Sequence, residues 1–245
     1  MNHTAIFIPA RMKATRLPNK PLADIGGKPM ILHVMERAIS ANIGPVYVAC
    51  ADDEIALVVK NAGGTAILTD PNHPSGSDRI AEALSKIDPH RNIANIVNLQ
   101  GDLPMFDPQI LKLSVLLLEN PSTDIGTFAN IIENHDDIDN PNIVKVAMSE
   151  PNANNIGRAL YFSRCAIPYQ STTYYHHVGI YIYRRNALEK FISLSPSYLE
   201  MSEKLEQLRA LENNLTIDVA IINSTPPGVD TEQDLQFIRR MYNNI

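Results

Sequence analysis

The chain has little cysteine, no excess of positive charge and no long apolar run, and each absence removes a class of function. Cys50 and Cys165 are the two cysteines among 245 residues. They lie far apart and neither has a Cys-x-x-Cys partner, so neither a disulfide framework nor a zinc site is expected, and the expected compartment is the reducing cytoplasm. Acidic residues outnumber basic ones, 27 to 21, for a net charge of -6. Affinity for a nucleic-acid backbone needs a basic surface, so no nucleic-acid partner is expected and any nucleotide bound should be small. No run reaches the length of a membrane span, and the nearest, residues 110–118, is short and interrupted by Lys112. The apolar N-terminal stretch precedes Arg11 and Lys13, the wrong order for a secretory signal, so no membrane partner is expected either. Gly-x-Gly-x-x-Gly is absent after the first apolar run and Gly-x-x-x-x-Gly-Lys is absent throughout, which disfavours a dinucleotide dehydrogenase and a P-loop kinase. There is no internal repeat.

What is present is a concentration of cations where the global charge opposes it. The apolar run Ile6-Phe7-Ile8 leads into a loop carrying Arg11, Lys13, Arg16 and Lys20, punctuated by Pro9, Pro18 and Pro21. Proline interrupts the helical ladder and restricts the residue before it, so these cations cannot be one solvated helix face. A basic loop alone is an ordinary surface feature. Its position after the first strand of an alternating β/α chain makes phosphate the expected ligand, because open α/β sheets bind ligands outside the carboxyl ends of their strands.

The alternation follows from hydrophobic spacing. Strands are expected at 5–9, 46–50, 65–68, 93–99 and 124–130, and helices at 29–41, 53–61, 77–87 and 108–118, with Asp52 a candidate N-cap and Gly63-Gly64 a turn. Strands separated by helices need crossover connections, which predicts an α/β fold with a mostly parallel mixed sheet covered by helices on both faces. Beyond Ile131 the rhythm changes. Strands at 143–148, 159–162 and 178–183 read as a smaller antiparallel flap, at about 131–185, on a single domain spanning 1–245. Helices at 186–193, 203–213 and 231–241 and a strand at 216–222 complete the chain, with Thr231 and Asp234 forming a loose capping box.

Three groups of residues can carry chemistry. Asp102 follows the apolar strand ending at Leu99, and Asp230 lies between Gly228 and a helix start. Two carboxylates at strand ends beside a cationic loop suit a phosphate-bound Mg²⁺, which takes hard oxygen ligands; helix capping is the plain alternative for each. His73-Pro74-Ser75-Gly76-Ser77-Asp78-Arg79 runs into a helix N-terminus, where backbone N–H groups with Ser75 and Arg79 could read a nucleobase edge, against an ordinary cap by Ser77. Arg164, His177, Tyr181, Glu206 and Gln207 form the third group, each alone an unremarkable polar residue.

Taken in order, Ile8-Pro9-Ala10-Arg11, Thr15-Arg16-Leu17-Pro18, Lys20-Pro21-Leu22, Ser75-Gly76-Ser77-Asp78-Arg79, Gln100-Gly101-Asp102, Tyr161-Phe162-Ser163-Arg164, His177-Val178-Gly179-Ile180-Tyr181, Leu205-Glu206-Gln207-Leu208-Arg209 and Gly228-Val229-Asp230-Thr231 resemble the cytidylyltransferases that activate 3-deoxy-manno-octulosonate (Kdo). The resemblance implies a nucleotide-diphosphosugar-transferase-like fold, Mg²⁺ as cofactor, a homodimer formed through the flap and a cytoplasmic role in lipopolysaccharide biosynthesis. It implies that Arg11, Arg16 and Lys20, with Ala10, hold the CTP phosphates, and that Ser75, Arg79 and Gln100 take the cytidine end. Asp102 and Asp230 would hold the metal and, with the three cations, make up the catalytic set. Arg164, His177, Tyr181, Glu206 and Gln207 would line the pocket for the sugar acid, with Arg164 or His177 on its carboxylate.

Three departures from that pattern stand out. Leu103 occupies a position where the family usually has Glu, and Ser77 and Asp78 stand where Thr and Glu are usual. The segment between Ile167-Pro168 and His177 is also short, which leaves open an amino-Kdo or sialic-acid-like substrate, and Leu103 leaves open a non-catalytic nucleotide-sugar binder.

Overall fold

The computed structural model describes residues 4–13, 16–223 and 225–243, so Ala14 and Thr15 of the basic loop lie outside the described residues. In chain order the elements are β1 (Thr4–Ala10), β2 (Asp24–Ile25), β3 (Lys28–Pro29), α1 (Met30–Ser40), β4 (Val46–Cys50), α2 (Asp53–Asn61), β5 (Thr65–Leu68), α3 (Gly76–Ile87), β6 (Asn95–Asn98) and α4 (Gln109–Leu117). They continue as β7 (Ile125–Ile131), β8 (Lys145–Met148), β9 (Ile156–Ser163), β10 (Tyr175–Arg184), α5 (Arg185–Ser193), α6 (Tyr198–Glu203), α7 (Leu208–Glu212), β11 (Ile217–Ile221) and α8 (Glu232–Tyr242). The fold is α/β. The chain clusters into two compact units, one of residues 1–112 with 226–245 and one of residues 113–225.

In the first unit β5, β4, β1 and β6 pair in parallel, with Ile6 opposite Val46 on one side and Val97 on the other. Ala5 to Ile8 of β1 are fully buried, as are Val48 to Cys50 of β4. A strand buried at consecutive positions is covered on both faces, and α1, α2 and α3 supply that cover through Ile31, Val34, Ile55, Val59, Ile80 and Ala83. The spacing-based boundaries of α2 and β5 match the observed ones to the residue. The short hairpin β2–β3 is an addition, turning through Gly26 and Gly27 at φ 60° and 81°, values that favour glycine.

Two capping expectations are corrected. Asp52 precedes α2, but its carboxylate accepts from the Met12 amide at 2.8 Å instead of capping the helix. Ser75, not Ser77, caps α3, its Oγ accepting from the Asp78 amide at 3.2 Å. The Thr231–Asp234 capping box is present.

In the second unit β10 runs antiparallel to β7, β11 parallel to β7 and antiparallel to β9, and β8 antiparallel to β9. Phe128, Phe162, Ile180, Ile182, Val219 and Phe191 fill its core. The helix expected over 203–213 is shortened to α7 over 208–212, preceded by an additional helix, α6, which Lys204 ends by taking a left-handed φ of 56°.

Candidate active site

Two strand ends of the first unit and the segment before α8 converge on one cavity of about 630 Å³. β1 delivers Ala10 and Arg11, β6 is followed by Gln100, Gly101 and Asp102, and the segment before α8 brings Asp230. Lys13, Arg16 and Lys20 of the basic loop line it, as do His73, Ser75, Gly76 and Arg79 ahead of and within α3. All seven residues expected to bind nucleotide and both expected metal carboxylates therefore face one space.

Packing explains why these segments meet. Leu17 of the basic loop is buried with Val229, Leu235 and Ile238, so Arg16 and Asp230 emerge side by side from a shared apolar cluster. The Val229 amide donates to the Asp102 carbonyl at 2.9 Å, which sets the two acidic residues next to each other. A Cβ on Gly101 would stand 3.0 Å from the Pro9 carbonyl oxygen, so the turn before Asp102 passes closer to β1 than a side chain comfortably allows.

The cations and carboxylates pair across the cavity. Lys20 Nζ donates to Asp102 Oδ2 at 2.7 Å and to Asp230 Oδ1 at 3.1 Å, and Arg16 Nη2 reaches Asp230 Oδ2 at 3.1 Å. Burial works to lower the Lys20 pKa, but the Asp102 and Asp230 carboxylates outweigh it and hold the ammonium above its ordinary value. Neither carboxylate is the helix cap that was the plain alternative. Among the described residues no group of three or more His, Cys, Asp or Glu side chains could hold a metal ion. Two carboxylates that already converge on one ammonium nevertheless form a hard-oxygen pair directed at a single point of positive charge, which fits Mg²⁺ completed by phosphate and water oxygens.

Arg79 is 2 % exposed. Its Nη1 donates to Thr69 Oγ1 at 2.6 Å and to the Asp70 carbonyl at 3.1 Å, while Nη2 is buried with no hydrogen-bond partner. Burial and then the nearby Arg11 guanidinium lower the Arg79 pKa. Two guanidiniums that close, one with an idle donor, call for an acceptor-rich ligand. Leu103 is buried and does not line the cavity, so the apolar side chain leaves the site's polar wall intact.

The residues expected to take a sugar acid belong to the second unit. His177 Nε2 lies 3.0 Å from Thr127 Oγ1, and its ring packs edge-on against Phe162 at 4.9 Å and tilted against Tyr181 at 5.5 Å. Burial, and secondarily His176, pushes its pKa down to about 3, so His177 is neutral near pH 7 and offers a hydrogen bond but no positive charge. Burial, then Tyr183 and Glu206, holds the Tyr181 hydroxyl well above its ordinary value. Gln207 is buried at the start of α7. Arg164 donates Nε to the Glu203 carbonyl and Nη1 to the Pro141 carbonyl, both at 2.9 Å, so most of its fork is committed to backbone.

Sequence reasoning missed the supports of the site. Met12 and Asp52 tie down the basic loop, Thr69 and Asp70 orient Arg79, and Thr127 holds His177. The Glu82–Lys86 spacing on α3 was the one signal available from local pattern.

Comparison with known proteins accords with this geometry. The cytidylyltransferase family profile matches residues 5–217. The chain belongs to the cytidylyltransferase family. It is 51% identical over 236 residues to a protein of Paramagnetospirillum magneticum, covering 96% of each chain, and 53% identical over 237 residues to one of Rhodopseudomonas palustris, covering 97% of this chain and 96% of the relative. Both relatives are named 3-deoxy-manno-octulosonate cytidylyltransferase. A solved structure of CMP:2-keto-3-deoxy-manno-octonic acid synthetase complexed with CTP superposes with a TM-score of 0.90 at 38% identity, covering 98% of both chains. A glucose-1-phosphate thymidylyltransferase structure from Bacillus anthracis, at 16% identity and a TM-score of 0.66, shares the fold. As a member of this family the chain is a nucleotidyltransferase.

Proposed function

We propose that this cytidylyltransferase moves the cytidylyl group of CTP onto 3-deoxy-manno-octulosonate, giving CMP-Kdo and pyrophosphate for lipopolysaccharide biosynthesis. The observation that carries the reading is the cavity of the first unit, where Arg11, Arg16, Lys20 and Arg79 face Asp102 and Asp230. The names of relatives at about half identity over nearly the whole chain supply the sugar acid.

The anomeric hydroxyl oxygen of the sugar forms a bond to the α-phosphorus of CTP. The bond from that phosphorus to the bridging oxygen breaks, and pyrophosphate leaves with the electron pair while the hydroxyl proton passes to water. No protein nucleophile is needed, so the side chains contribute position and charge. Arg11, Arg16 and Lys20, with the backbone at Ala10, neutralise the triphosphate as charge builds on the leaving group. Ser75, Arg79 and Gln100 hold the cytidine end, the idle Arg79 Nη2 being the donor in want of an acceptor. Asp102 and Asp230 would hold Mg²⁺, which when bound screens the phosphate oxygens from the incoming hydroxyl. Arg164, His177, Tyr181, Glu206 and Gln207 are assigned to the sugar acid on the resemblance, His177 as a neutral hydrogen-bonding group. A homodimer formed through the 131–185 segment and a cytoplasmic site of action complete the reading. Among the described residues no helix is long and apolar enough to cross a membrane.

The test is a pyrophosphate-release assay of each nucleoside triphosphate crossed with a panel of sugar acids, with and without Mg²⁺. Release should need CTP, Kdo and Mg²⁺ together. Equal release with another triphosphate, with an amino or nine-carbon analogue in place of Kdo, or without metal would overturn the corresponding part of the reading.

A further inference from the structure

α3 carries, beyond Arg79, a polar arrangement that the transfer reaction does not use directly. Glu82 Oε2 accepts from the Asp70 amide at 2.8 Å and also pairs with His73 Nε2. Glu82 Oε1 pairs with Lys86 Nζ at 2.6 Å, one turn further along the helix, and Lys86 Nζ donates to the Leu68 carbonyl at 2.7 Å. Residues 68–73, the stretch joining β5 to the turn before α3, are thus fastened to α3 at Leu68, Asp70 and His73. Arg79 is fastened to the same stretch at Thr69 and Asp70.

The two sets of contacts interlock. Thr69 and Asp70 can fix the Arg79 guanidinium only if their own backbone is fixed, and Glu82 and Lys86 grip that backbone on both sides, at Leu68 and at Asp70 to His73. The Asp70 residue is held twice, its amide by Glu82 and its carbonyl by Arg79, so one peptide segment transmits position from one side chain to the other. Arg79 Nη1 makes both contacts to this stretch, and Nη2 is buried without a partner in a residue that lines the cavity. A long flexible side chain loses rotamer entropy when it is held in this way before a ligand arrives, and the ligand then does not bear that cost.

We infer that Glu82 is a positioning residue for the nucleotide, clamping residues 68–73 to α3 so that Arg79 is already held in the cavity wall before CTP binds. This rests on the assignment of Arg79 to the nucleotide end of the site. Lys86 and His73 serve the same clamp from either side of Glu82. The role differs from plain stabilisation of a surface loop because it predicts a loss that runs through Arg79 and falls on CTP affinity, leaving the chemical step alone.

The experiment is a double-mutant cycle on Glu82→Gln and Arg79→Ala, with CTP affinity measured by calorimetry, KM and kcat measured for CTP, and thermal unfolding measured for each variant. Gln keeps the size of Glu82 and one acceptor oxygen, so the chain should fold. Glu82→Gln should raise Kd and KM for CTP about tenfold, as loss of a charge-assisted contact would, with kcat within about twofold. In the Arg79→Ala background the same change should add nothing, because the clamp acts through that side chain. Restoring charge at the position with Glu82→Asp, whose shorter arm does not reach both Asp70 and Lys86, should recover CTP affinity only in part. A lowered unfolding temperature with unchanged CTP affinity, or a full additional loss in the Arg79→Ala background, overturns the clamp. If Arg79→Ala itself leaves CTP affinity unchanged, the assignment of Arg79 to the nucleotide fails instead, and the clamp with it.

Discussion

The Lys20 ammonium donates to the Asp102 carboxylate across 2.7 Å, joining segments 82 residues apart in sequence at the mouth of one cavity. The contact has a consequence for order of events. An ammonium and a divalent cation cannot occupy the same point between Asp102 and Asp230, so if the two carboxylates held a metal as proposed, Lys20 would have to turn toward phosphate. A lysine, with a compact charge on a flexible stem, makes that exchange more easily than an arginine fork.

The first prediction concerns Asp102. The Asp102→Asn variant keeps the side chain's shape and an oxygen that can accept from Lys20, so its thermal unfolding should stay within a few degrees of the wild type. It removes half of the negative charge available to a metal, and turnover in the pyrophosphate-release assay should fall by about a thousandfold or more. A variant that turns over at the wild-type rate would remove Asp102 from the reaction.

A second prediction concerns acid stability and Glu82. Burial works to raise its pKa, but Lys86, the Asp70 amide and His73 together carry it down to about 2. The unfolded chain binds a proton at this position at a higher pH than the folded one does. The contribution is therefore fully present above about pH 4.5 and is lost as pH falls toward 2, with an upper limit of about 3 kcal/mol. Chemical denaturation of wild type and Glu82→Gln should show a stability difference that is constant near neutrality and closes below about pH 4.5. A difference that stays constant through that range would show that the carboxylate's charge is not the stabilising feature.

Much of this was legible in the sequence, for reasons that differ between elements. α2 and β5 were readable to the residue because their apolar spacing is strong and Gly63-Gly64 ends the helix without ambiguity. The cations of the basic loop, Asp102 and Asp230 were readable because strand ends face one edge of a parallel sheet. The β2–β3 hairpin was not, since two residues per strand leave no period to detect. The break at Lys204 was not, since a left-handed lysine has no compositional mark. Ser75 and Ser77 are both good caps, and only the start of the helix at Gly76 decides between them. The hold of Thr69 and Asp70 on Arg79 is a tertiary contact that no local pattern encodes.

A third prediction lies in the second unit, at the pair Arg209 and Glu200. Arg209 donates Nε and Nη2 to the two oxygens of Glu200 at 2.8 and 2.5 Å and stacks its guanidinium over the Phe191 ring at 4.9 Å. Glu200 also accepts from the Ser197 amide at the start of α6, so one carboxylate serves the cap and the fork together. An ammonium can reproduce neither the two parallel bonds nor the stacking. Arg209→Lys should destabilise by about 2 kcal/mol and Arg209→Ala by about 3 to 5, the second leaving a nearly buried carboxylate without its partner. Denaturant unfolding that separates the two variants from wild type by less than about 0.5 kcal/mol would mean that the pair is not structural.

The last prediction turns on His177, whose burial among Phe162, Tyr181 and Thr127 holds the imidazole neutral with a pKa of about 3. The unfolded chain takes up a proton there at about pH 6.5, so below that pH acid draws the equilibrium toward the unfolded state. The sign is opposite to that of a histidine gaining a carboxylate partner: stability is complete above about pH 6.5 and declines until the folded imidazole also protonates near pH 3. Between about pH 7 and pH 5 the expected loss from this one group is about 2 kcal/mol. His177→Gln keeps a polar group beside Thr127 without a titrating ring and should be less stable than wild type at neutral pH, where it gives up the ring's packing. Its unfolding free energy should nevertheless fall less steeply on acidification, so the two curves converge toward pH 5. Parallel curves would mean that His177 titrates alike in the folded and unfolded chains, and would return to it the positive charge that its burial here denies it.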